Sequence, residues 1–384
     1  MECLAYDSGR CRSCTLIETP YPRQVASKQD ALERLLSAAL GDAASAIAWR
    51  EPVVGPESGF RTKAKMVVAG TIEEPTVGIL DAAGHGVDLR DCPLYDPALT
   101  AAFPILATFV TVAALRPYSV PERRGELKHI ILTASPAGEL MARFVLRSTE
   151  ALARIRKHLA WLQEQLPALV VVTVNVLPEH RAVVEGDVEI VLTERDELHM
   201  DLGSVDLRLR PQSFFQTNTD VARALYAQVA QWVGESRPVS VWDLYCGVGG
   251  FALHCLADGR TVTGVESSEQ AVLSARATAA QMAGRGVPGA ADAHFVVADA
   301  PAWAETHAAP DVVIVNPPRR GLGAALAGWL ESSGVGRVVY SSCNAVTLAR
   351  DLAAMPSLVP VRGRLLDMFP HTEHFEAVVL LERH

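Results

Sequence analysis

The pattern of apolar and polar positions divides the chain near Arg210. Beyond this residue, short apolar runs alternate with stretches that have the period of a helix. The predicted strands are 239–245, 261–266, 295–298, 312–315, 337–341 and 375–381, and the predicted helices are one beginning near 250 and those at 269–282, 322–330 and 345–355. Alternation of this kind is typical of a parallel, doubly wound α/β sheet.

The first half of the chain has a different pattern. Strand-like runs at 169–176, 183–192 and 205–209 are separated by turn residues, and 150–166 is one amphipathic helix. We therefore predict a mixed α+β domain over 1–210, followed by the α/β domain over 211–384. A chain of 384 residues is long enough for two such domains.

The composition is that of an ordinary globular protein, with 49% hydrophobic and 21% charged residues. No apolar run is long enough to cross a membrane, so we expect no membrane partner. The first residues lack the basic and then apolar regions of a signal peptide. We therefore expect a cytoplasmic protein, and we expect it to be a monomer.

The formal net charge is −9, and neither half is basic when the chain is divided at Arg210. Binding of nucleic acid would then depend on local basic patches, because charge attraction fades within about 10 Å. Arg61, Lys63 and Lys65 would share one face of a strand, and Arg208 and Arg210 repeat this alternation. Such a stripe is either a phosphate-binding surface or an ordinary solvated face.

A glycine-rich segment, DLYCGVGG, runs from Asp243 to Gly250 between a predicted strand and a predicted helix. Glycines allow a ligand to approach the backbone, and the start of a helix offers free N–H groups. Glu266 ends the next strand, where a carboxylate can accept both hydroxyls of a ribose. The acidic residue before the glycines favours a cationic nucleoside such as S-adenosylmethionine over a pyrophosphate. The alternative is a bare tight turn.

The segment NPPRRG begins at Asn316, directly after a predicted strand. Residues before proline are kept out of the helical region, so the backbone should be extended here and present Asn316 at the carboxyl edge of the sheet. Arg319 and Arg320 would suit contact with phosphate. A purely structural turn is the alternative.

Two further residues are candidates for catalysis. Cys343, in YSSCN, ends a predicted strand before a helix, a position that lowers the pKa of a thiol and exposes its sulfur. Glu376 starts an apolar strand, where an unpaired buried carboxylate would be costly, so a functional role is favoured over a structural one. His371, Glu373 and His374 lie nearby, but no further ligand pattern accompanies them, which disfavours a metal site.

Four of the seven cysteines lie in the first half, at Cys3, Cys11, Cys14 and Cys92. An odd number of cysteines argues against a disulfide framework and leaves metal ligation or catalysis. The close pair fits both a zinc half-site and an iron–sulfur ligand set, and the spacing does not choose between them. Unligated thiols are the third possibility.

Taken in order, the motifs GFRTKAK, SFFQTN, DLYCGVGG, NPPRRG, SSCN and HTxHxE resemble those of the RNA uracil-C5 methyltransferases over nearly the whole chain. Within that family, the resemblance is to the 23S ribosomal RNA enzymes that carry an iron–sulfur cluster. It implies a class I (Rossmann-like) methyltransferase domain preceded by an α+β domain with the iron–sulfur site. The substrate would be a uridine in a loop or single strand of 23S ribosomal RNA.

The resemblance also implies roles for single residues. Contacts to S-adenosylmethionine fall on Gln216, Tyr245, Glu266 and Asn316; the nucleophile is Cys343 and the proton-abstracting base is Glu376; and the [4Fe–4S] cluster falls on Cys3, Cys11, Cys14 and Cys92. Because the first of these cysteines is residue 3, we expect no preceding β-barrel domain, as in the shorter ribosomal branch. That branch also favours Asn over Asp in the Asn-Pro-Pro-Arg motif, whereas the transfer-RNA branch generally lacks the cluster cysteines.

Chemically, a thiolate that adds to C6 of uracil makes C5 nucleophilic, and a base must then remove the C5 proton. Three other interpretations remain: a methyltransferase acting on an amine of adenine or guanine, a cytosine-C5 enzyme, and a non-catalytic RNA-binding or cluster-sensing protein. The Pro-Cys motif of DNA cytosine enzymes and the C-x3-C-x2-C triad of radical enzymes are both missing. The roles of Phe214, Phe215 and Asp299, in ligand contact or in packing, stay open.

Overall fold

The computed structural model describes residues 1–180 and 183–384. Its helices are α1 (Leu4–Asp7), α2 (Tyr21–Leu40), α3 (Pro97–Val112), α4 (Leu152–Gln165), α5 (Thr219–Glu235), α6 (Gly250–His254), α7 (Glu269–Gly284), α8 (Ala300–Glu305), α9 (Gly323–Ser332) and α10 (Ala345–Ala353). Within the described ranges, none of these helices combines the length and the apolar character that crossing a membrane requires.

The strands of the described residues are numbered in chain order. They are β1 (Ala48–Trp49), β2 (Lys63–Gly70), β3 (Pro75–Leu80), β4 (Gly86–Asp88), β5 (Leu127–Ala134), β6 (Leu140–Leu146), β7 (Leu169–Val176), β8 (Val188–Val191), β9 (Leu198–Asp201), β10 (Asp206–Leu209), β11 (Ser240–Leu244), β12 (Thr261–Glu266), β13 (Ala293–Val297), β14 (Val312–Val315), β15 (Arg337–Ser342), β16 (Leu358–Leu366) and β17 (Glu376–Arg383). The run predicted at 183–192 forms a strand only over β8.

The chain folds into two compact units. The N-terminal unit comprises Met1–Cys14, Pro56–Asp201 and Arg210–Gln212, and the C-terminal unit comprises Thr15–Gly55, Leu202–Leu209 and Ser213–His384. The sequence predicted a single domain boundary near Arg210. The observed division differs, because Thr15–Gly55 belongs to the C-terminal unit. The reason lies in α2, whose buried Leu32 and Leu36 join the hydrophobic core of the C-terminal unit.

The N-terminal unit is built on a mixed sheet with the strand order β4-β3-β2-β5-β6-β7-β8. Only β6 and β7 pair in parallel among these neighbours, and the other pairs are antiparallel. Phe109 of α3 packs against Phe144 of β6 and stacks on Trp161 of α4, with ring centroids 5.3 Å and 6.3 Å apart. Both helices therefore share the core of this sheet, which is an α+β arrangement.

The C-terminal unit is built on a sheet with the order β1-β16-β17-β15-β14-β11-β12-β13. Strands β11 to β15 pair in parallel, as the alternating pattern predicts. Strand β17 is antiparallel to both β15 and β16, so the prediction of a wholly parallel sheet is wrong at this point. The loop 367–375 is too short for the crossover that a parallel return needs.

Strand β16 was not predicted from the sequence. Its interior contains Pro360 and Gly363, residues that are uncommon inside strands, and its register shifts between Pro360 and Arg362. The strand nevertheless has a consequence for the site. The chain turns back after β16, so β17 begins at the edge of the sheet where β11, β12, β14 and β15 end. Glu376 is the first residue of β17 and therefore lies at this edge.

Candidate active site

A cavity of about 540 Å³, called here the first cavity, opens at this edge of the sheet in the C-terminal unit. Its lining contains all six residues predicted to act there, namely Gln216, Tyr245, Glu266, Asn316, Cys343 and Glu376. The lining also includes Phe214, Asp299, Arg319, Arg320 and Phe369. The six predicted residues, from six separate segments of the sequence, are thus brought together around one space that is large enough for a small-molecule ligand.

Glu266 organises one end of the first cavity. Its carboxylate accepts hydrogen bonds from the backbone N–H of Gly247 at 3.2 Å, from the N–H of Ser268 at 2.9 Å and from the hydroxyl of Ser267 at 3.0 Å. Tyr245, at the start of the glycine-rich loop, has φ of +65°, a left-handed conformation that is uncommon outside glycine. The loop therefore curves around the end of β11 and is tied to the carboxylate that was predicted to hold a ribose.

Asp243 does not face the first cavity. It is fully buried, and its Oδ2 accepts a hydrogen bond from the N–H of Ala252 in α6 at 2.9 Å. Burial raises the pKa of Asp243 to about 8. Its side chain holds the start of α6 and does not line the first cavity, so it is not placed to contact a ligand there.

The residues whose roles the sequence left open can now be located. Phe214 is 68% exposed and lines the first cavity, whereas Phe215 is 3% exposed and belongs to the core. Only Phe214 is available to stack on a ligand. Asp299 lines the cavity and also caps α8, since its Oδ1 accepts from the N–H of Ala302 at 3.2 Å.

Glu376 also lines the first cavity, and it is only 2% exposed. Its Oε1 accepts hydrogen bonds from the hydroxyl of Ser341 at 2.6 Å and from the side-chain amide of Asn316 at 3.2 Å. Burial raises the pKa of Glu376 to about 7, and these two hydrogen bonds oppose the shift. The carboxyl group is therefore poised to exchange a proton near neutral pH.

Ser341 was not predicted. It is fully buried on β15, two residues before Cys343, in a run of apolar neighbours. A buried hydroxyl needs a hydrogen-bond partner, so a serine in an apolar strand was the signal in the sequence that could have indicated Ser341 as a residue of the site. The identity of that partner, on β17, could not be read from the sequence because it depends on the antiparallel pairing of β15 and β17.

Cys343 is half-buried and lines the first cavity. Burial and then the neighbouring Glu376 raise the pKa of its thiol above the usual 9.0, while the guanidinium of Arg319, which donates a hydrogen bond to the sulfur, lowers it. The net direction is upward, so the prediction that the helix start lowers this pKa is wrong. The physical reason is that burial and the charge of Glu376 outweigh the opposing effect of Arg319.

The loop that carries Arg319 is fixed by α10 and the residue before it. The side-chain amide of Asn344 donates to the carbonyl oxygen of Arg319 at 2.9 Å. The buried carboxylate of Asp351 accepts from the N–H of Leu322 at 2.7 Å. Gly321 has φ of +81°, and a Cβ there would lie 2.3 Å from Asp351 Oδ2. Only glycine allows this approach, which keeps Arg319 beside the thiol.

The loop 367–375, which leads to Glu376, is anchored by α2. Lys28 Nζ donates to Asp367 Oδ1 at 2.6 Å and to the carbonyl oxygen of Phe369 at 3.1 Å, and the ion pair is buried. Gln24 accepts from the N–H of the buried His371 at 2.8 Å. Sequence reasoning missed these anchors, because the two partners of each contact lie at opposite ends of the chain.

The four predicted cluster cysteines are electrostatic neighbours in the N-terminal unit. Burial raises the pKa of Cys14 to about 11, and Cys92, Cys11 and Cys3 each add to this rise. Cys11 and Cys92 also pack against the same hydrophobic core. Among residues 1–180 and 183–384, however, no three His, Cys, Asp or Glu side chains are arranged to hold a metal ion, and this applies equally to His371, Glu373 and His374.

The predicted basic stripe is only partly exposed. Lys65 is exposed, but burial and the neighbouring Lys65 and Arg143 lower the pKa of Lys63 to about 8. Arg208 donates to the side chain of Gln281 at 3.1 Å, and Arg210 forms an ion pair with Asp196 at 3.1 Å. Lys65 is therefore the member best placed to meet a phosphate.

Comparisons with known proteins identify related enzymes. The tRNA (Uracil-5-)-methyltransferase family model matches residues 306–384, and the Methyltransferase small domain model matches residues 205–327. The 23S rRNA (uracil(747)-C(5))-methyltransferases RlmC of Yersinia pestis (strain Pestoides F) and Yersinia pseudotuberculosis serotype I (strain IP32953) are each 47% identical to this chain over 383 residues, covering 99% of both sequences.

The chain belongs to the RNA uracil-C5 methyltransferase family.

A solved structure supports the same conclusion. The crystal structure of the Pyrococcus abyssi tRNA (uracil-54, C5)-methyltransferase in complex with S-adenosyl-L-homocysteine is similar with a TM-score of 0.77 and 26% identity, covering 96% of this chain and 85% of that one. The C-terminal unit therefore has the class I methyltransferase fold. The prediction of an S-adenosylmethionine-dependent enzyme that methylates C5 of uridine is confirmed, and the amine-directed, cytosine and non-catalytic interpretations are not.

Proposed function

We propose that this chain transfers a methyl group from S-adenosylmethionine to C5 of a uridine in 23S ribosomal RNA through a covalent bond between Cys343 and C6 of the uracil. The observation that carries the mechanism is the shared lining of the first cavity, in which Cys343 and Glu376 accompany Tyr245, Glu266 and Asn316. The choice of RNA is supported by the 47% identity to enzymes named for uracil 747 of 23S rRNA.

Gln216, Tyr245, Glu266 and Asn316 would hold the cofactor. Bound S-adenosylmethionine supplies a methyl group that its positively charged sulfur makes electrophilic. Glu266 already accepts hydrogen bonds from Gly247 and Ser268, so its carboxylate is fixed in place before it meets the ribose hydroxyls. Such preorganisation reduces the cost of ordering the site when the cofactor binds.

Cys343 starts the reaction as a thiolate, and Arg319 stabilises that charge. Its sulfur bonds to C6 of the uracil, and the electron pair of the C5–C6 double bond moves to form an enolate over C5 and the C4 carbonyl. C5 then takes the methyl group, whose bond to sulfur breaks to leave S-adenosylhomocysteine. Reaching C6 requires an unstacked uridine, so the base is flipped out of the RNA.

Glu376 completes the reaction by taking the proton from C5. The hydrogen bonds from Ser341 and Asn316 both fall on Oε1, which leaves Oε2 for this proton. As the proton leaves, the C5–C6 double bond reforms and the bond from C6 to the sulfur of Cys343 breaks. A base with a pKa near 7 suits this role at neutral pH.

A transfer-RNA substrate is the second candidate. It is favoured by the similarity to the Pyrococcus abyssi tRNA enzyme and by the match to the tRNA (Uracil-5-)-methyltransferase family. Unmethylated 23S ribosomal RNA and unmethylated transfer RNA, each incubated with the protein and radiolabelled S-adenosylmethionine, separate the two. We expect 5-methyluridine in the ribosomal RNA, at the position equivalent to uracil 747. Label only in transfer RNA would contradict the proposal.

We also propose that Cys3, Cys11, Cys14 and Cys92 hold a [4Fe–4S] cluster in a domain that helps to bind RNA. The support is chemical, since thiolates are the ligands of such clusters, and electrostatic, since the four sulfurs influence one another. Anaerobically purified protein should contain iron and sulfide that are lost together in Cys14→Ser. Zinc in place of iron would contradict the proposal. A ribosomal RNA substrate also supports a cytoplasmic enzyme.

A further inference from the structure

A second cavity, of about 510 Å³, lies beside Cys343 in the C-terminal unit. Its walls come from α2, from the start of α10 and from the loop 367–375. Cys343 and Arg319 line both cavities, whereas Glu376 and Asn316 line only the first. The second cavity is therefore continuous with the place where the reaction occurs, yet the proposed mechanism does not use it.

The second cavity has both apolar and polar lining residues. Leu16, Ala31, Leu35 and Phe375 supply apolar surface, and the polar and charged lining residues include Ser27, Lys28, Asn344, Glu373 and His374. Val346 lies on the same lining and is 62% exposed, which is a large exposure for an apolar side chain. Apolar faces with a few hydrogen-bonding groups suit a flat heteroaromatic ring such as a nucleobase.

The reacting uracil itself does not fit this space. It must meet both Cys343 and Glu376, and the buried Glu376 is reached from the first cavity. The uracil therefore occupies the Cys343 end of the first cavity, and the RNA chain must leave from there. Arg319 lies on the shared wall, and a guanidinium has five N–H donors, so it can contact a phosphate as well as the thiol.

We propose that the second cavity binds the base of a nucleotide adjacent to the methylated uridine, so that two unstacked bases lie on either side of Cys343. This inference rests on the proposed function, because it takes the substrate to be single-stranded RNA. It assigns part of the sequence specificity to α2 and the loop 367–375. Phe369 lines the first cavity and His374 lines the second, and their ring centroids are 6.4 Å apart. This pair of rings therefore lies between the two cavities.

The test combines a variant that fills the second cavity with RNAs that lack one base. Ala31→Trp places a large side chain in the cavity, and Ala38→Trp is the control, because Ala38 lies on the same helix, is exposed and lines neither cavity. The RNAs carry an abasic site at each position next to the target uridine in turn. Affinity for RNA and for S-adenosylmethionine is measured with each protein.

We expect one abasic position to weaken binding to the wild-type protein about 10-fold, the size of one lost base contact. Ala31→Trp should weaken binding of the intact RNA by a similar factor and should keep the affinity for S-adenosylmethionine. Because the cavity of this variant is already filled, it should bind the abasic RNA as tightly as the intact RNA. The inference would be overturned if Ala31→Trp and Ala38→Trp bound the RNA equally tightly. It would also be overturned if the loss of affinity caused by Ala31→Trp and the loss caused by the abasic site multiplied. Failure of the wild-type protein to methylate the intact RNA would instead overturn the proposed function.

Discussion

At the scale of single residues, the protonation states of Cys343 and Glu376 are set by their neighbours. Burial raises the pKa of both groups, and the charge of Glu376 raises the pKa of the Cys343 thiol further. Arg319 lowers the pKa of the thiol, and Ser341 and Asn316 lower the pKa of the carboxyl group. The proposed mechanism needs both groups deprotonated, so these three contacts would stabilise the reactive forms.

The pH dependence follows from these directions. A raised pKa keeps each group protonated to higher pH, so the rate of methyl transfer should rise as pH increases through about 7 and should rise further as the thiol ionises. Single-turnover rates on RNA between about pH 6 and pH 9 measure this profile. A rate that is flat or falls on raising the pH through 7 would contradict the assignment of Glu376 as the base.

Ser341→Ala removes one of the two hydrogen bonds to Glu376 Oε1. Because that bond favours the carboxylate, its loss should raise the pKa of Glu376 and move the lower inflection of the pH profile upward by about one unit. Ser342→Ala is the control, since Ser342 bonds to Asn344 rather than to Glu376. An unchanged profile in Ser341→Ala, with reduced activity at every pH, would show a purely structural role.

At the scale of elements, two loops at the carboxyl edge of the sheet are anchored by contacts with helices. Asn344 and Asp351 fix the loop that carries Arg319, and Lys28 on α2 fixes the loop before Glu376. Neither loop has regular structure of its own, so its position depends on these contacts. Changes at the contacts should alter activity even though the changed residues do not touch the substrate.

Gly321→Ala and Gly323→Ala form a matched pair. Both glycines have positive φ, +81° and +76°, so either substitution costs about 1–2 kcal/mol of backbone strain. A Cβ at Gly321 would also lie 2.3 Å from Asp351 Oδ2, whereas at Gly323 no heavy atom of the described chain lies within 4 Å. Gly321→Ala should therefore lose more methyl-transfer activity and more stability. Equal effects in activity assays and thermal unfolding would contradict this account.

The buried pair of Lys28 and Asp367 gives a prediction about stability. Lys28→Met or Asp367→Asn alone leaves a buried group without its partner and should lower the free energy of unfolding by about 3–5 kcal/mol. The double variant should lose less than the sum of the single losses, as urea unfolding can show. Additive losses would mean that the two side chains are not coupled.

At the scale of the whole molecule, the sequence predicted the chemistry better than the arrangement. The parallel strands were recognisable because each is a short apolar run followed by polar residues, and parallel strands gather those residues at one edge. The direction of β17 and the membership of α2 in the C-terminal unit depend on packing between distant segments. The raised pKa values of Asp243 and Cys343 depend on burial, which no local motif encodes.

The central claim is the covalent bond between Cys343 and the uracil, and RNA containing 5-fluorouridine tests it most directly. Fluorine cannot leave C5 as a proton does, so the methylated adduct cannot be resolved by Glu376. With S-adenosylmethionine present, we expect a protein–RNA band that survives denaturing electrophoresis and whose digested peptide carries the nucleotide on Cys343, and we expect no band with Cys343→Ala. Methylation of unmodified RNA by Cys343→Ala, or an adduct on another residue, would contradict the account.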